Sequence, residues 1–108
     1  MGLFSFLESK TDKIEGIEFP KLKVGKKIGF WQRNTPKYRR KDYLYKNVDD
    51  MQLQQFVNEI VTYGFHKKND VRYDNNTGAY IIIEKQTVGI FQKKEAVHIA
   101  FHVKKMNY

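Results

Sequence analysis

The chain has 108 residues, a formal net charge of +8, 41% hydrophobic and 15% aromatic residues, and no cysteine. That length suits one domain, and this much apolar surface excludes an intrinsically disordered chain, which cannot bury enough to offset ordering entropy. The missing cysteine excludes a disulfide framework, thiol catalysis and a cysteine-based zinc site, and no run approaches the ~18 apolar residues of a transmembrane helix.

The charge is local. Between Pro20 and Lys46 lie ten basic residues and one acid, Asp42, a net of +9, so the remainder of the chain sums to −1. Phe30, Trp31, Tyr38, Tyr43 and Tyr45 are interleaved with those cations.

In chain order, Leu3, Phe4, Phe6 and Leu7 fit one apolar-sided turn docked on the core, or else a membrane-surface anchor or partner contact. The run ends at Glu8, too short for a signal peptide. Phe6 stands where a myristoylation pattern needs Ser or Thr. A cytoplasmic protein is expected. Ser9 to Glu18, polar and mixed in charge, read as a linker or exposed turn. Ile17 to Leu22 alternate loosely around Pro20, which cannot donate a ladder hydrogen bond, so a strand here is an edge or starts later. Gly25 marks a turn, Ile28 to Gln32 a short strand, and Arg33-Asn34-Thr35-Pro36 a second turn. Tyr38 to Lys46 read as a strand. Arg39, Lys41, Tyr43 and Tyr45 fall on one face and Tyr38, Arg40, Leu44 and Lys46 on the other. Neither face is cleanly apolar, which suggests partial exposure.

The spacing predicts a helix over about 50–63. Asp49 and Gln52 form a capping box, with Val48 and Leu53 as its staple. Leu53, Phe56, Val57, Ile60 and Val61 recur at helical intervals, and Gly64 suits the C-terminal stop. Period two follows. Phe65 to Tyr73 read as one strand, and Asp74-Asn75-Asn76-Thr77-Gly78 as a turn. Ala79 to Lys85 are apolar on both faces at Tyr80 to Ile83, as in a central strand covered on both sides. Gln86-Thr87 read as a turn, Val88 to Lys93 as a returning strand, Lys94-Glu95 as a further turn, and Ala96 to Lys104 as a cleanly alternating strand. The expected fold is α+β: one capped helix on an antiparallel sheet of five or six strands, in the order β-β-α-β-β-β-β, with its first strand weakly signalled. A single domain over 1–108 would comprise an N-terminal segment (1–18), a basic aromatic-rich segment (20–46) and a helix with a meander (49–104).

Catalytic chemistry finds little support. His98 and His102 share a strand face four residues apart, on the order of 13 Å at ~3.3 Å per residue. Zinc ligands sit about 2 Å from the ion, so those two cannot share a metal. They read as sheet-face histidines without ligand roles, and His66 stands apart. Glu59, Asp74, Glu84 and Glu95 show no recognisable spacing. The two serines, Ser5 and Ser9, are both N-terminal. Gly25-Lys26-Lys27-Ile28-Gly29 matches neither phosphate-binding glycine motif. No catalytic residue, metal or cofactor is assigned, and the chain is read as a non-enzyme.

The basic stretch is the candidate site. Phosphate attracts Lys and Arg through counterion release, and unpaired bases stack on aromatic rings. The candidate nucleic-acid contacts are Lys21, Lys23, Lys26, Lys27, Trp31, Arg33, Lys37, Arg39, Arg40 and Lys41. Arg39 and Arg40 suit bidentate phosphate contact, and Trp31 is the best stacking candidate. Only four of the 20 basic residues are arginine, so contact mainly to the backbone is expected, because base readout prefers arginine. The alternative is a protein-interaction module, a small inhibitor or accessory protein of phage or mobile-element type, docking an acidic protein. A sheet edge could also recruit a second copy. Lysine-rich faces are often merely solvated, and Phe30, Trp31 and Leu44 fit the core equally well. Convergence of Lys26, Lys27, Arg39, Arg40 and Lys41 on one surface would favour both specific readings, and scatter would weaken both.

Overall fold

The computed structural model describes residues 11–105; the Leu3–Leu7 segment lies outside them. The elements are β1 (Thr11–Ile14), β2 (Ile17–Pro20), β3 (Lys26–Asn34), β4 (Tyr38–Lys46), α1 (Asp50–Thr62), β5 (His66–Lys67), β6 (Arg72–Asp74), β7 (Tyr80–Val88) and β8 (Lys94–Lys104). β3 to β8 form one antiparallel six-stranded sheet in the order β3-β4-β8-β7-β6-β5. The fold is α+β, with one helix packed on that sheet.

α1 starts as its sequence dictates. The Asp49 side chain accepts from the Gln52 amide at 2.7 Å, and the Gln52 side chain accepts from the Asp49 amide at 3.1 Å. Two orphan donors are thereby satisfied. The helix ends at Thr62, with Gly64 just beyond in the left-handed region. Phe56 and Ile60 are buried and Leu53 and Val57 half-buried. Val61 is exposed, so the apolar stripe is narrower than its sequence suggested.

The expected linker of Ser9 to Glu18 is instead mostly a β-hairpin. Ile14 pairs with Ile17 across Glu15 and Gly16, whose φ values are 50° and 80°. Two successive positive φ angles give a turn whose twist matches that of the flanking strands. Pro20 sits at the end of this separate two-stranded sheet, opposite Thr11. The hairpin closes the core: Phe19, fully buried, packs 4.7 Å from Phe101 and 5.1 Å from Phe65, centroid to centroid. Burying such a ring contributes about 1.5–3 kcal/mol.

The core lies on one face of the sheet. Tyr43 and Tyr45 of β4, Tyr73 of β6, Ile81 and Ile83 of β7, and Val97, Ile99, Phe101 and Val103 of β8 meet Phe56 and Ile60 of α1 and Ile14 and Phe19 of the hairpin. β4 is an interior strand between β3 and β8, so it is more enclosed than its mixed faces implied. Phe65 to Tyr73 are two short strands rather than one. The Asn69 side chain accepts from the Val71 and Arg72 amides at 3.2 and 3.1 Å, which turns the chain between them. Val88 to Lys93 do not return as a strand. β7 runs on to Val88, residues 89–93 turn, and β8 begins at Lys94. The opposite face of β7 is not covered by an element of the described residues. It carries half-buried Tyr80 and Ile82.

Candidate nucleic-acid interface

Strand register decides which predicted residues share a surface. Trp31 lies opposite Asp42, and Arg33 opposite Arg40. All four belong to the sheet face away from the core and line a small cleft of ≈ 240 Å³. Trp31 is 48% exposed. Its indole stacks on the His98 ring at 5.7 Å and 18°.

Beneath the indole is a buried polar network. Asp42 accepts from Arg40 Nε at 2.9 and 3.1 Å and from Arg40 Nη2 at 3.0 Å. His98 Nε2 lies 2.8 Å from Asp42 Oδ2. His98 Nδ1 lies 3.4 Å from Gln86 Nε2 and 3.5 Å from Glu84 Oε1. The hydrogen bond to Asp42 raises the Arg40 pKa above its ordinary value, against partial burial. Both His98 nitrogens are engaged and the ring is covered by Trp31, so this histidine is a support for the indole rather than an accessible acid or base.

A second tier lies on the same face. The rings of Tyr38, His102 and Tyr80 stack in series at 4.7 and 4.4 Å, and the Arg72 guanidinium caps Tyr80 at 4.1 Å. Arg33 Nη1 donates to the Tyr38 hydroxyl at 3.1 Å, which raises the Arg33 pKa. Burial lowers the pKa of His102, and the charges of Arg40 and Arg72 lower it further.

Lys21, Lys23, Lys27 and Lys41 gather elsewhere, on the core side of the β3–β4 hairpin. With Phe30, Tyr43, Tyr45 and Asp12 they line an open cleft of ≈ 520 Å³. Lys41 donates to Asp12 at 3.0 Å, and the Tyr43 hydroxyl also donates to Asp12. Burial pulls the Asp12 pKa upward, but these two hydrogen bonds and the charges of Lys41 and Lys21 outweigh it, so the net shift is downward. Burial and the bond to Asp12 raise the Tyr43 pKa. Lys23 pairs with Glu59 at 3.2 Å. The Lys27 ammonium sits over the Phe30 and Tyr43 rings at 5.6 and 5.9 Å.

Lys37 is exposed in the β3–β4 turn, Lys26 is exposed at the start of β3, and Arg39 faces Val103 from β4. Among the described residues, no acid pairs with Lys26, Lys27, Arg33, Lys37 or Arg39. The cations therefore do not converge on one face. Arg39 and Lys41 lie on the core side and Arg40 on the other, because successive strand residues alternate. They lie on both faces of the β3–β4 hairpin and in its turn instead.

Sequence reasoning missed Asp42, Glu84, Gln86 and the support role of His98. Two signals pointed there: Asp42 is the lone acid among ten cations, and the alternation of Ala96 to Lys104 places His98 opposite the apolar face. Among the described residues no three His, Asp or Glu side chains could hold a metal, and no helix is long and apolar enough to cross a membrane. No protein-family model, curated protein or solved structure matches the chain.

Proposed function

We propose that this is a non-enzymatic protein that binds nucleic acid along its β3 edge, in the cytoplasm. One observation carries the reading: Trp31 presents an exposed ring, held from beneath by His98, between two arginines that flank it on the same face. Arg33, Lys37 and Arg39, which have no acidic partner among the described residues, supply phosphate contacts around the rim. Unpaired bases stack on the indole. Arg40 and Lys41 are held by Asp42 and Asp12, so they shape the surface more than they neutralise phosphate.

Trp31 is the sole tryptophan among seven tyrosines, so fluorescence excited at the red edge, where tyrosine does not absorb, reports on this site alone. Titration with single- and double-stranded oligonucleotides is expected to quench it, with affinity falling steeply as salt rises. Replacing Arg33, Lys37 and Arg39 together with Gln is expected to lower the salt slope by about one for each phosphate that is no longer neutralised. An absence of binding at low salt would overturn the reading.

The lysine-lined cleft favours a second reading, an interaction module for an acidic protein. Exposed Phe30 offers apolar contact there, and Lys21 and Lys27 supply charge beside Lys23 and Lys41, which pair with Glu59 and Asp12. A second copy is the poorer partner for this edge. β3 carries Lys26, Lys27 and Arg33 with no acid, so self-pairing would oppose like charges. Pull-down of one defined acidic protein, with no oligonucleotide binding, would select this reading.

A further inference from the structure

The β7–β8 hairpin ends in a feature that the β3 edge does not explain. Residues 89–93 join the two strands, and within them Ile90 and Phe91 are 87% and 97% exposed. Core demand does not place them there: neither side chain belongs to the buried cluster. The hairpin also outruns its neighbour. β4 ends where Lys46 faces Ala96, whereas β7 and β8 stay paired to Val88 and Lys94. That overhang is two residues, roughly 7 Å at ~3.3 Å per residue, and the turn adds to it.

Lys93 and Lys94 follow the apolar pair closely, and both are exposed. Lys46 and Lys26 share the next rung back. The acids at this end are Asp49, Asp50 and Glu95. Asp49 caps α1, and Asp50 is bound by Lys85 at 2.5 Å. That bridge ties the start of α1 to the base of the hairpin, next to Met51, a further large apolar side chain that is 73% exposed. Glu95 is exposed and offsets one charge, so the apex is apolar and its collar is cationic on balance, with Lys93, Lys94, Lys46 and Lys26 against it.

We propose that the β7–β8 tip docks on an anionic lipid surface, with Ile90 and Phe91 entering the boundary between headgroups and acyl chains and Lys93 and Lys94 meeting the headgroups. A bilayer presents anionic charge outside and apolar matter inside, the same order in depth as the tip. Two apolar residues are too few to anchor alone, but an apolar contact with a basic cluster supplies the two signals that reversible interfacial binding needs. The tip is convex and short, which suits insertion of about 5–10 Å. It suits a duplex less well, because a two-stranded ribbon enters the major groove, whose base edges are largely polar. This site is independent of the nucleic-acid reading of β3.

The test is co-sedimentation of the full chain with phosphatidylcholine vesicles containing about a third phosphatidylglycerol, against phosphatidylcholine alone. Binding to the anionic vesicles is expected, with little to the neutral ones. The variant I90S/F91S is expected to bind about tenfold more weakly or worse. Its thermal midpoint should be unchanged, because both side chains are exposed. In the variant W31F/F91W the only tryptophan sits at the tip. Its emission should shift to the blue with anionic vesicles and be quenched by brominated acyl chains. The proposal is overturned if the wild type stays in the supernatant, if I90S/F91S binds undiminished, if neutral vesicles bind equally, or if the emission does not shift. It is also overturned if I90S/F91S loses oligonucleotide affinity without any lipid effect, which would assign the tip to a nucleic acid instead.

Discussion

Asp42 holds together more of the candidate site than any cation does. It fixes Arg40 through its Nε and Nη2 groups and His98 through Nε2, and His98 in turn supports Trp31. Asp42→Ala would leave a buried imidazole and a half-buried guanidinium without their acceptor. The expected loss of stability is about 2–4 kcal/mol, read as a lower urea midpoint, together with altered Trp31 emission. A loss under about 0.5 kcal/mol would show that the network is not structural. His102 contributes a pH dependence of stability below neutrality. Its folded pKa lies below the ordinary 6.5, through burial first and then the charges of Arg40 and Arg72, with Asp42 opposing. Tyr38 and Tyr80 flank its ring from β4 and β7. The folded state therefore binds fewer protons than the unfolded state once the pH falls below 6.5. The stability contributed by neutral His102 is full above 6.5 and is lost as the pH falls from there through the folded pKa. Denaturant melts across that window should show the decline, and His102→Phe, which keeps a ring in the stack, should flatten it.

At the scale of elements, α1 was legible because its start is written locally: Asp49 and Gln52 satisfy each other whatever surrounds them. β1 was not legible, and β2 only as a loose alternation around Pro20, because just three of their side chains, Ile14, Phe19 and Pro20, are fully buried, among Thr11, Asp12, Lys13 and Glu18. Four-residue strands of that composition carry almost no periodicity. The Glu15-Gly16 pair was the available sign of the turn. This hairpin nevertheless covers the sheet beside α1, and Phe19 is its main anchor. Phe19→Ala is expected to cost about 3–5 kcal/mol, measured by equilibrium denaturation. A cost of less than about 1 kcal/mol would mean that the hairpin is an appendage rather than part of the core. The Phe65–Tyr73 stretch misled for a related reason: its turn depends on the Asn69 side chain and not on Gly or Pro. One β7–β8 turn at residues 89–93 replaces the two turns that local pattern implies, at Gln86-Thr87 and Lys94-Glu95, because Ile90 and Phe91 resemble strand residues although the fold leaves them in solvent.

For the whole molecule, composition and order along the chain determined a good deal. The α+β class, the helix with its caps, the Tyr38–Lys46 strand with its two faces, and the concentration of positive charge between Pro20 and Lys46 all follow from local pattern, since period, capping and charge count need no partner. What tertiary structure decided is which of those charges remain available, and where. Pairing β4 with β3 and β8 sends Arg40 to one side and Arg39 and Lys41 to the other. Folding brings Asp12 from the first hairpin to Lys41, Glu59 from the helix to Lys23, and His98 from the last strand to Asp42. Each of these pairings spans a separation in sequence that no periodicity encodes, and together with the Arg40–Asp42 bridge they occupy Lys23, Arg40 and Lys41 while Lys26, Lys27, Arg33, Lys37 and Arg39 have no acidic partner among the described residues.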